Sequence, residues 1–170
     1  MTPRQPSYDE VAALPVSLGG VVGPEHLDAN DHVNIQHYLA WADLASGLWC
    51  EGLGLGMDEY ARRGLSQFVA EYHLAYLGEL RRGSHYSAHV RILDRGARAL
   101  HTMTYVLDNG QRRLSCAAEM MAINVDLKTR RTTDYPPDIA RALDDRLARD
   151  AQTGWPVVRS GAMAVRRGRS

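Results

Sequence analysis

The spacing of hydrophobic residues divides the chain into a helical part and a strand part. Residues 35–50 are apolar at most positions around a helix, and only a narrow stripe that includes Asp43 and Gly47 is polar. A helix with this pattern packs against other structure over most of its circumference. From residue 65 onward the period becomes two, most sharply within 84–93, where apolar and polar residues alternate.

The same patterns predict the remaining elements and their order. A candidate strand within 16–27 ends in a turn at Gly23-Pro24, four antiparallel strands follow the helix, and a helix opened by proline covers 135–150. Asp-Asn-Gly at 108–110 is a strong hairpin signal between the last two strands. The order predicts an α+β fold in which a curved antiparallel sheet wraps one central helix. The four strands are predicted over 65–77, 84–93, 98–107 and 112–126.

One domain with two flanking segments accounts for this pattern. A chain of 170 residues is long enough for a single domain with its own core, which we place at residues 16–150. Residues 1–15 contain three prolines and are expected to form an arm. Residues 151–170 carry four arginines and no acidic residue, and we expect a mobile basic tail.

Composition narrows the classes of function. The 20 basic and 20 acidic residues cancel, so no overall field favours nucleic acid or an anionic membrane surface. Cys50 and Cys116 are isolated, which predicts buried thiols in a reducing compartment. The chain starts without an apolar leader and has no run of about 20 apolar residues. We therefore expect a cytoplasmic protein with neither a membrane nor a nucleic-acid partner.

Candidate chemistry is concentrated in HLDANDHVNIQHYLAWADLAS (26–46), where the predicted helix begins. Asn34 stands at the N-cap position, and Asp28 and Asp31 are residue types typical of the preceding turn. Alternatively, Asp28 folds back beside the unpaired N–H groups of the helix start. There it would attack a carbonyl or deprotonate a water while the backbone N–H of Ile35 holds the oxyanion. The residues alone leave both interpretations open.

The same stretch contains three histidines, which are possible metal ligands. His32 and His37 are five residues apart and straddle the helix start, so they do not share a face as an i, i+4 pair of ligands does. We therefore expect no metal and no other cofactor.

The segment DANDHVNIQHYLAW (28–41) resembles the Asp-x-x-Gly-His-Val/Met-Asn-Asn-x-x-Tyr-Leu motif of hotdog-fold acyl-CoA thioesterases of the 4-hydroxybenzoyl-CoA thioesterase-like class. AEMMAINVDLKTRR (118–131) is similar to the last strand of that family. The resemblance implies a hotdog fold and hydrolysis of an acyl-CoA to a carboxylic acid and free CoA. It further implies that Asp28 is the nucleophile or general base and that the N–H of Ile35 is the oxyanion donor. His32, Asn34 and Tyr38 match further fixed positions of the motif, which places His32 and Asn34 among the catalytic residues and Tyr38 beside the substrate.

The resemblance also implies an assembly and a place for CoA. Family members form dimers by pairing their sheets, often then tetramers, with active sites between subunits. Basic residues after the third strand and at the end of the last strand commonly hold the CoA phosphates. This correspondence rests on the location of the residues in the chain and not on a sequence motif. The alternative interpretation is that these basic residues are ordinary solvated surface charges. The residues in those regions are Arg95, Arg98, Lys128, Arg130 and Arg131.

Two departures from the motif leave rival interpretations. The motif's glycine is Asp31, a residue type that tolerates positive φ better than most, and its second asparagine is Ile35. Asp31 and the helical Asp43 are rival catalytic acids. An enoyl-CoA hydratase is disfavoured because Asp28 and His32 are four residues apart with no intervening proline. A non-catalytic acyl-CoA-binding module remains an alternative, and the acyl group is not readable from the sequence.

Overall fold

The structure is a computed structural model and describes residues 4–165. Its helices are α1 (Tyr8–Ala12), α2 (Ile35–Glu51), α3 (Met57–Arg62) and α4 (Pro137–Ala151). Its strands are β1 (Val16–Val21), β2 (Leu65–Tyr76), β3 (His85–Arg95), β4 (Ala99–Asp108), β5 (Arg113–Asp126) and β6 (Arg131–Thr132). The sheet has the antiparallel order β1-β3-β4-β5-β2, with the short β6 paired to β5. This confirms the predicted α+β hotdog architecture.

Two predicted turns are present in the structure. The first strand ends at Val21, two residues before the turn predicted at Gly23-Pro24, which is the 3₁₀ turn Pro24–His26. The hairpin predicted at 108–110 is present, and the carboxylate of Asp108 accepts the N–H of Gly110 at 3.0 Å and that of Gln111 at 3.0 Å. These bonds belong to the turn that joins β4 to β5.

The inner face of the sheet holds α2. Alternation in β3, β4 and β5 turns Val90, Leu100 and Cys116 toward the helix, where they share one core cluster with Trp41 and Trp49. The prediction of a helix enclosed on nearly all sides is wrong for the described chain. The sheet covers one side only, and four apolar side chains on the other side are exposed: Ile35, Leu39, Leu44 and Leu48.

The outer face of the sheet is covered by the two flanking segments. Val11 and Leu14 of the predicted arm are buried against it, together with Tyr105. From the C-terminal side, Trp155 joins the same cluster and Met163 is buried. The tail expected to be mobile is therefore packed as far as the structure describes it. Arg166, Arg167 and Arg169 lie outside the described residues.

Within residues 4–165, no helix combines the length and the apolar character needed to cross a bilayer.

Candidate active site

The residues of the motif form a tight hairpin that ends at the start of α2. Leu27 pairs with Val33, and the N–H of Asp28 donates to the carbonyl of His32 at 3.0 Å. The N–H of Asp31 donates to the carbonyl of Asp28 at 3.2 Å, and Asp31 has a φ of 57°. A three-residue loop whose last residue is left-handed is a common hairpin solution. The position at which the family motif has glycine therefore does require positive φ.

The carboxylate of Asp28 is held at this hairpin and is partly accessible. Its Oδ1 accepts the N–H of Asn30 at 2.8 Å, and its Oδ2 lies 3.4 Å from Nδ1 of His32. The Asp28 side chain is 22% exposed, so it is neither sealed in the core nor extended into solvent. The loop fixes Oδ1, and Oδ2 faces the ring of His32. Because the side chain is partly exposed, a bound molecule or a water can reach the carboxylate.

The start of α2 offers a free hydrogen-bond donor. Asn34 is the N-cap, as predicted: its Oδ1 accepts the N–H of Gln36 at 3.1 Å. The carbonyl of Asn34 accepts the N–H of His37 at 3.0 Å. Among the hydrogen bonds of the described chain, none takes the N–H of Ile35. The first N–H groups of a helix carry partial positive charge, so this end can stabilise an oxyanion.

Tyr38 docks α2 against the segment that follows β2. Its buried hydroxyl accepts the N–H of Leu80 at 3.0 Å and donates to the carbonyl of Gly78 at 3.4 Å. Burial raises the pKa of Tyr38, which keeps the hydroxyl protonated. The N–H of Val33 donates to the carbonyl of Leu80 at 2.8 Å, so the same segment also anchors the hairpin. Because the Tyr38 hydroxyl is bonded to backbone groups, it holds the site in place, and a substrate could contact only the ring.

The histidines flanking the hairpin serve packing and turn geometry. Nδ1 of His26 accepts the N–H of Gly23 at 2.9 Å. The His26 ring meets those of His37 and Trp41 edge-on, with centroids 5.0 Å and 5.3 Å away. Within residues 4–165, no group of three or more His, Cys, Asp or Glu side chains is arranged to hold a metal ion.

The thiols are not available as nucleophiles. Cys50 and Cys116 are both free, as the sequence predicted. Burial raises the pKa of each to about 12, so both stay protonated at neutral pH.

The rival acids lie in different surroundings from Asp28. Asp31 is exposed at the tip of the hairpin. Asp43 is eight residues beyond Ile35, about 12 Å along the helix at 1.5 Å per residue. Its Oδ1 accepts the hydroxyl of Tyr72 at 3.5 Å, and it lines a groove between α2 and the sheet. Asp43 is therefore not part of the hairpin at the helix start.

The basic residues expected to bind CoA lie at the opposite end of the sheet. Arg95 forms a two-pronged ion pair with Asp144 of α4, and Arg98 pairs with Asp134. The turn after β5 carries three exposed basic residues without an ion pair among the described residues: Lys128, Arg130 and Arg131. These basic residues lie near the start of β2, whereas the Asp28 hairpin lies near the C-terminal end of β2. One chain alone therefore does not bring the two predicted sets together.

Comparison with known proteins identifies the family. A model of the thioesterase-like superfamily matches residues 22–143, which is more than half of the chain. The chain belongs to the thioesterase-like superfamily. This confirms the family predicted from the sequence.

Individual relatives of this thioesterase-like chain agree with the assignment. It is 29% identical over 140 residues to an L-carnitine dehydrogenase/betainyl-CoA thioesterase of Agrobacterium fabrum. That match covers 82% of this chain, and the chain spans only 28% of the length of that relative.

Solved structures share the fold at lower identity. A Staphylococcus aureus protein solved in complex with CoA is 19% identical, with a TM-score of 0.76 over 90% of this chain and 97% of that one. A 1,4-dihydroxy-2-naphthoyl-CoA thioesterase from Synechocystis is 14% identical, with a TM-score of 0.68 over 76% and 96%.

The sequence did not predict the backbone contacts that hold the site in place. The backbone at Gly78 and Leu80 anchors both Tyr38 and the hairpin, and no local signal marks it because the contacts span 40 residues or more. The groove beside Asp43 was also missed, although Gly47 within an otherwise apolar helix was a visible sign of it.

Proposed function

We propose that the protein hydrolyses acyl-CoA thioesters, with Asp28 as the reacting carboxylate and the N-terminus of α2 as the oxyanion site. The observation that carries the proposal is the free N–H of Ile35 at the start of α2, directly after a hairpin that holds the partly exposed carboxylate of Asp28. Acyl transfer needs both a nucleophile or base and a donor for the tetrahedral oxygen. The match to the thioesterase-like superfamily supports the choice of a thioester.

The geometry is compatible with two routes from this starting point. In the first, Asp28 attacks the thioester carbon, CoA leaves as the thiolate and is protonated, and water then cleaves the mixed anhydride. In the second, Asp28 takes a proton from the water that attacks the carbon. In both, the partial positive charge at Ile35 stabilises the negative oxygen of the tetrahedral intermediate. His32 lies 3.4 Å from Asp28 and orients the carboxylate.

A second copy of the chain completes the proposed site. One edge of the sheet is β2, whose outward side is unpaired in the single chain, and Val69 and Tyr76 on it are exposed. Leu44 and Leu48 of α2 are also exposed and line the same groove as Val69. Antiparallel pairing of two β2 edges covers these residues and places the start of one β2 beside the end of the other. The basic turn at 128–131 of one copy then lies near the Asp28 hairpin of the other, where CoA phosphates would need it.

The test is thiol release from a panel of acyl-CoAs by the native protein and by Asp28→Asn. Betainyl-CoA belongs in the panel because the Agrobacterium relative carries that activity in its name. Asp28→Asn keeps the side-chain shape and removes the base, so we expect a loss of about 10³-fold in kcat. Asp31→Asn is the matched comparison, since asparagine also tolerates positive φ, and we expect a change within about threefold.

The outcomes separate the rival functions. An undiminished rate in Asp28→Asn, together with a large loss in Asp31→Asn, would move the chemistry to Asp31. CoA binding without thiol release from any thioester would favour the binding module, and water addition to an enoyl-CoA would favour the hydratase.

A further inference from the structure

A groove with a volume of about 410 Å³ runs between the C-terminal half of α2 and the sheet. One wall is α2 from Asp43 to Glu51, and the floor includes Gln67 of β2 and Met120 of β5. We propose that this groove receives the acyl group of the thioester and selects an acyl group that carries a positive charge. The inference rests on the hydrolase function proposed above and names its substrate class.

The charge of the groove is one-sided. Asp43 and Glu51 both line it, and no lysine, arginine or histidine does. Neither carboxylate forms an ion pair among residues 4–165, and both residues are exposed. An unbalanced pair of carboxylates beside a partly apolar cavity attracts a cation and disfavours an anionic or neutral group of the same shape.

Gly47 makes room between the two acids. Residues 43, 47 and 51 are four apart, so they lie on one face of α2 with the glycine in the middle. A Cβ on Gly47 would meet no atom within 4 Å, so no neighbour in the described chain requires glycine there. Glycine inside a helix is unfavourable, and the space that it leaves belongs to the groove. A compact group such as trimethylammonium can therefore approach the helix backbone between the carboxylates.

The floor of the groove supplies a polar contact. The side-chain amide nitrogen of Gln67 is buried and has no hydrogen-bond acceptor in residues 4–165. Buried donors are normally satisfied. The one acceptor of a trimethylammonioacetyl group is its thioester oxygen, so this donor would pair with a cationic acyl group that carries a further oxygen.

The groove serves the active site of the other copy. Gly47 is twelve residues beyond Ile35, which places it about 18 Å along the helix, beyond the reach of a short acyl group bound at the same helix start. The groove adjoins the start of β2, and the Asp28 hairpin is anchored just after the end of β2. Antiparallel pairing of the β2 edges brings the groove of one copy beside the hairpin of the other.

The test compares two thioesters of the same shape and different charge. Trimethylammonioacetyl-CoA carries a quaternary nitrogen where 3,3-dimethylbutyryl-CoA carries a quaternary carbon. We expect the native protein to hydrolyse the cationic thioester with a kcat/KM about tenfold higher or more. The double variant Asp43→Asn/Glu51→Gln keeps the side-chain shapes, and it should lose that preference through a lower kcat/KM for the cationic thioester alone.

Two further variants isolate the groove. Asp58→Asn/Glu59→Gln on α3 removes the same net charge from residues that do not line the groove, and it should keep the preference. Gly47→Leu fills the space between the acids and should lower kcat/KM for both thioesters by about tenfold, with an unchanged fold by circular dichroism.

Equal kcat/KM values of the native protein for the two thioesters would overturn the charge selection and leave the hydrolase proposal intact. An equal loss of kcat/KM for both thioesters in Asp43→Asn/Glu51→Gln would do the same. Cleavage of other acyl-CoAs but neither of these two would also overturn it. Release from no acyl-CoA at all rejects the hydrolase proposal itself.

Discussion

The two faces of the sheet are covered to different extents in a single chain. On the outer face, Trp155 packs between Arg91, whose guanidinium lies 4.3 Å from the ring centroid, and Tyr105, whose ring centroid is 5.5 Å away. Oε1 of Glu119 is 2.8 Å from Nε2 of His101, and its Oε2 accepts the N–H of Ser160 at 2.6 Å. On the inner side, α2 leaves Ile35, Leu39, Leu44 and Leu48 exposed.

The comparison indicates where the protein meets other molecules. The outer face buries its apolar and charged groups under the chain's own flanking segments, so little is left for a partner to cover. The α2 side combines exposed apolar residues, an unpaired strand edge, a free helix N–H and an acidic groove. Exposed apolar side chains beside an unpaired strand edge are typical of an interaction site. We therefore place both the second copy and the substrate on the α2 side.

Among the changes that test this comparison of the two faces, the largest effect is expected from a charge placed on the β2 edge. Val69→Lys puts an ammonium where two edges are proposed to pair, and lysine on an edge strand prevents such pairing. Since Val69 is 46% exposed in the single chain, the fold itself should tolerate the change. We expect a monomer by sedimentation, and that readout tests the pairing. Val69 also lines the groove, so the expected loss of about tenfold or more in kcat/KM combines lost pairing with a cation placed at the proposed acyl site.

The opposite edge supplies the control for that experiment. Val16 lies on β1, the other edge of the same sheet, and is 63% exposed. Val16→Lys should leave both the oligomeric state and the rate unchanged. A dimer that persists in Val69→Lys, or an active native monomer, would contradict the proposed pairing.

A smaller effect is expected on the closed face. Trp155→Ala removes a buried ring and its cation–π contact with Arg91, which should lower the free energy of unfolding by about 3 kcal/mol. The rate should stay within about twofold, because the ring lies on the face away from Asp28. Urea denaturation and thiol release measure the two quantities. Unchanged stability would show that residues 152–165 are not held against the sheet.

The sequence predicted what depends on local pattern. Alternation gave the strands, because neighbouring side chains on a strand face opposite sides. The cap at Asn34 and the tolerance of Asp31 for positive φ were also readable, since each depends on one residue type at one backbone position. The hairpin between β4 and β5 followed from three residues.

Long-range contacts account for what the sequence did not show. Trp155 is a single large apolar residue in a polar segment, and its contacts with Arg91 and Tyr105 span 50 residues or more. The ion pair of Arg95 with Asp144 joins β3 to α4 across 49 residues. The exposure of one side of α2 was not predicted for a related reason. Apolar residues indicate that a surface is covered, but they do not indicate whether the same chain or a second copy covers it.

The smallest effect concerns the helix start, where stability and rate should separate. Asn34→Ala removes the bond to the N–H of Gln36 and should cost about 1 kcal/mol in the free energy of unfolding. Asn34→Asp keeps a capping oxygen and adds a negative charge that the helix dipole favours, so stability should be retained. That charge opposes an oxyanion forming at Ile35, so kcat should fall although the fold is intact. Equal rates in Asn34→Asp and the native protein would argue that the thioester oxygen does not bind at the start of α2.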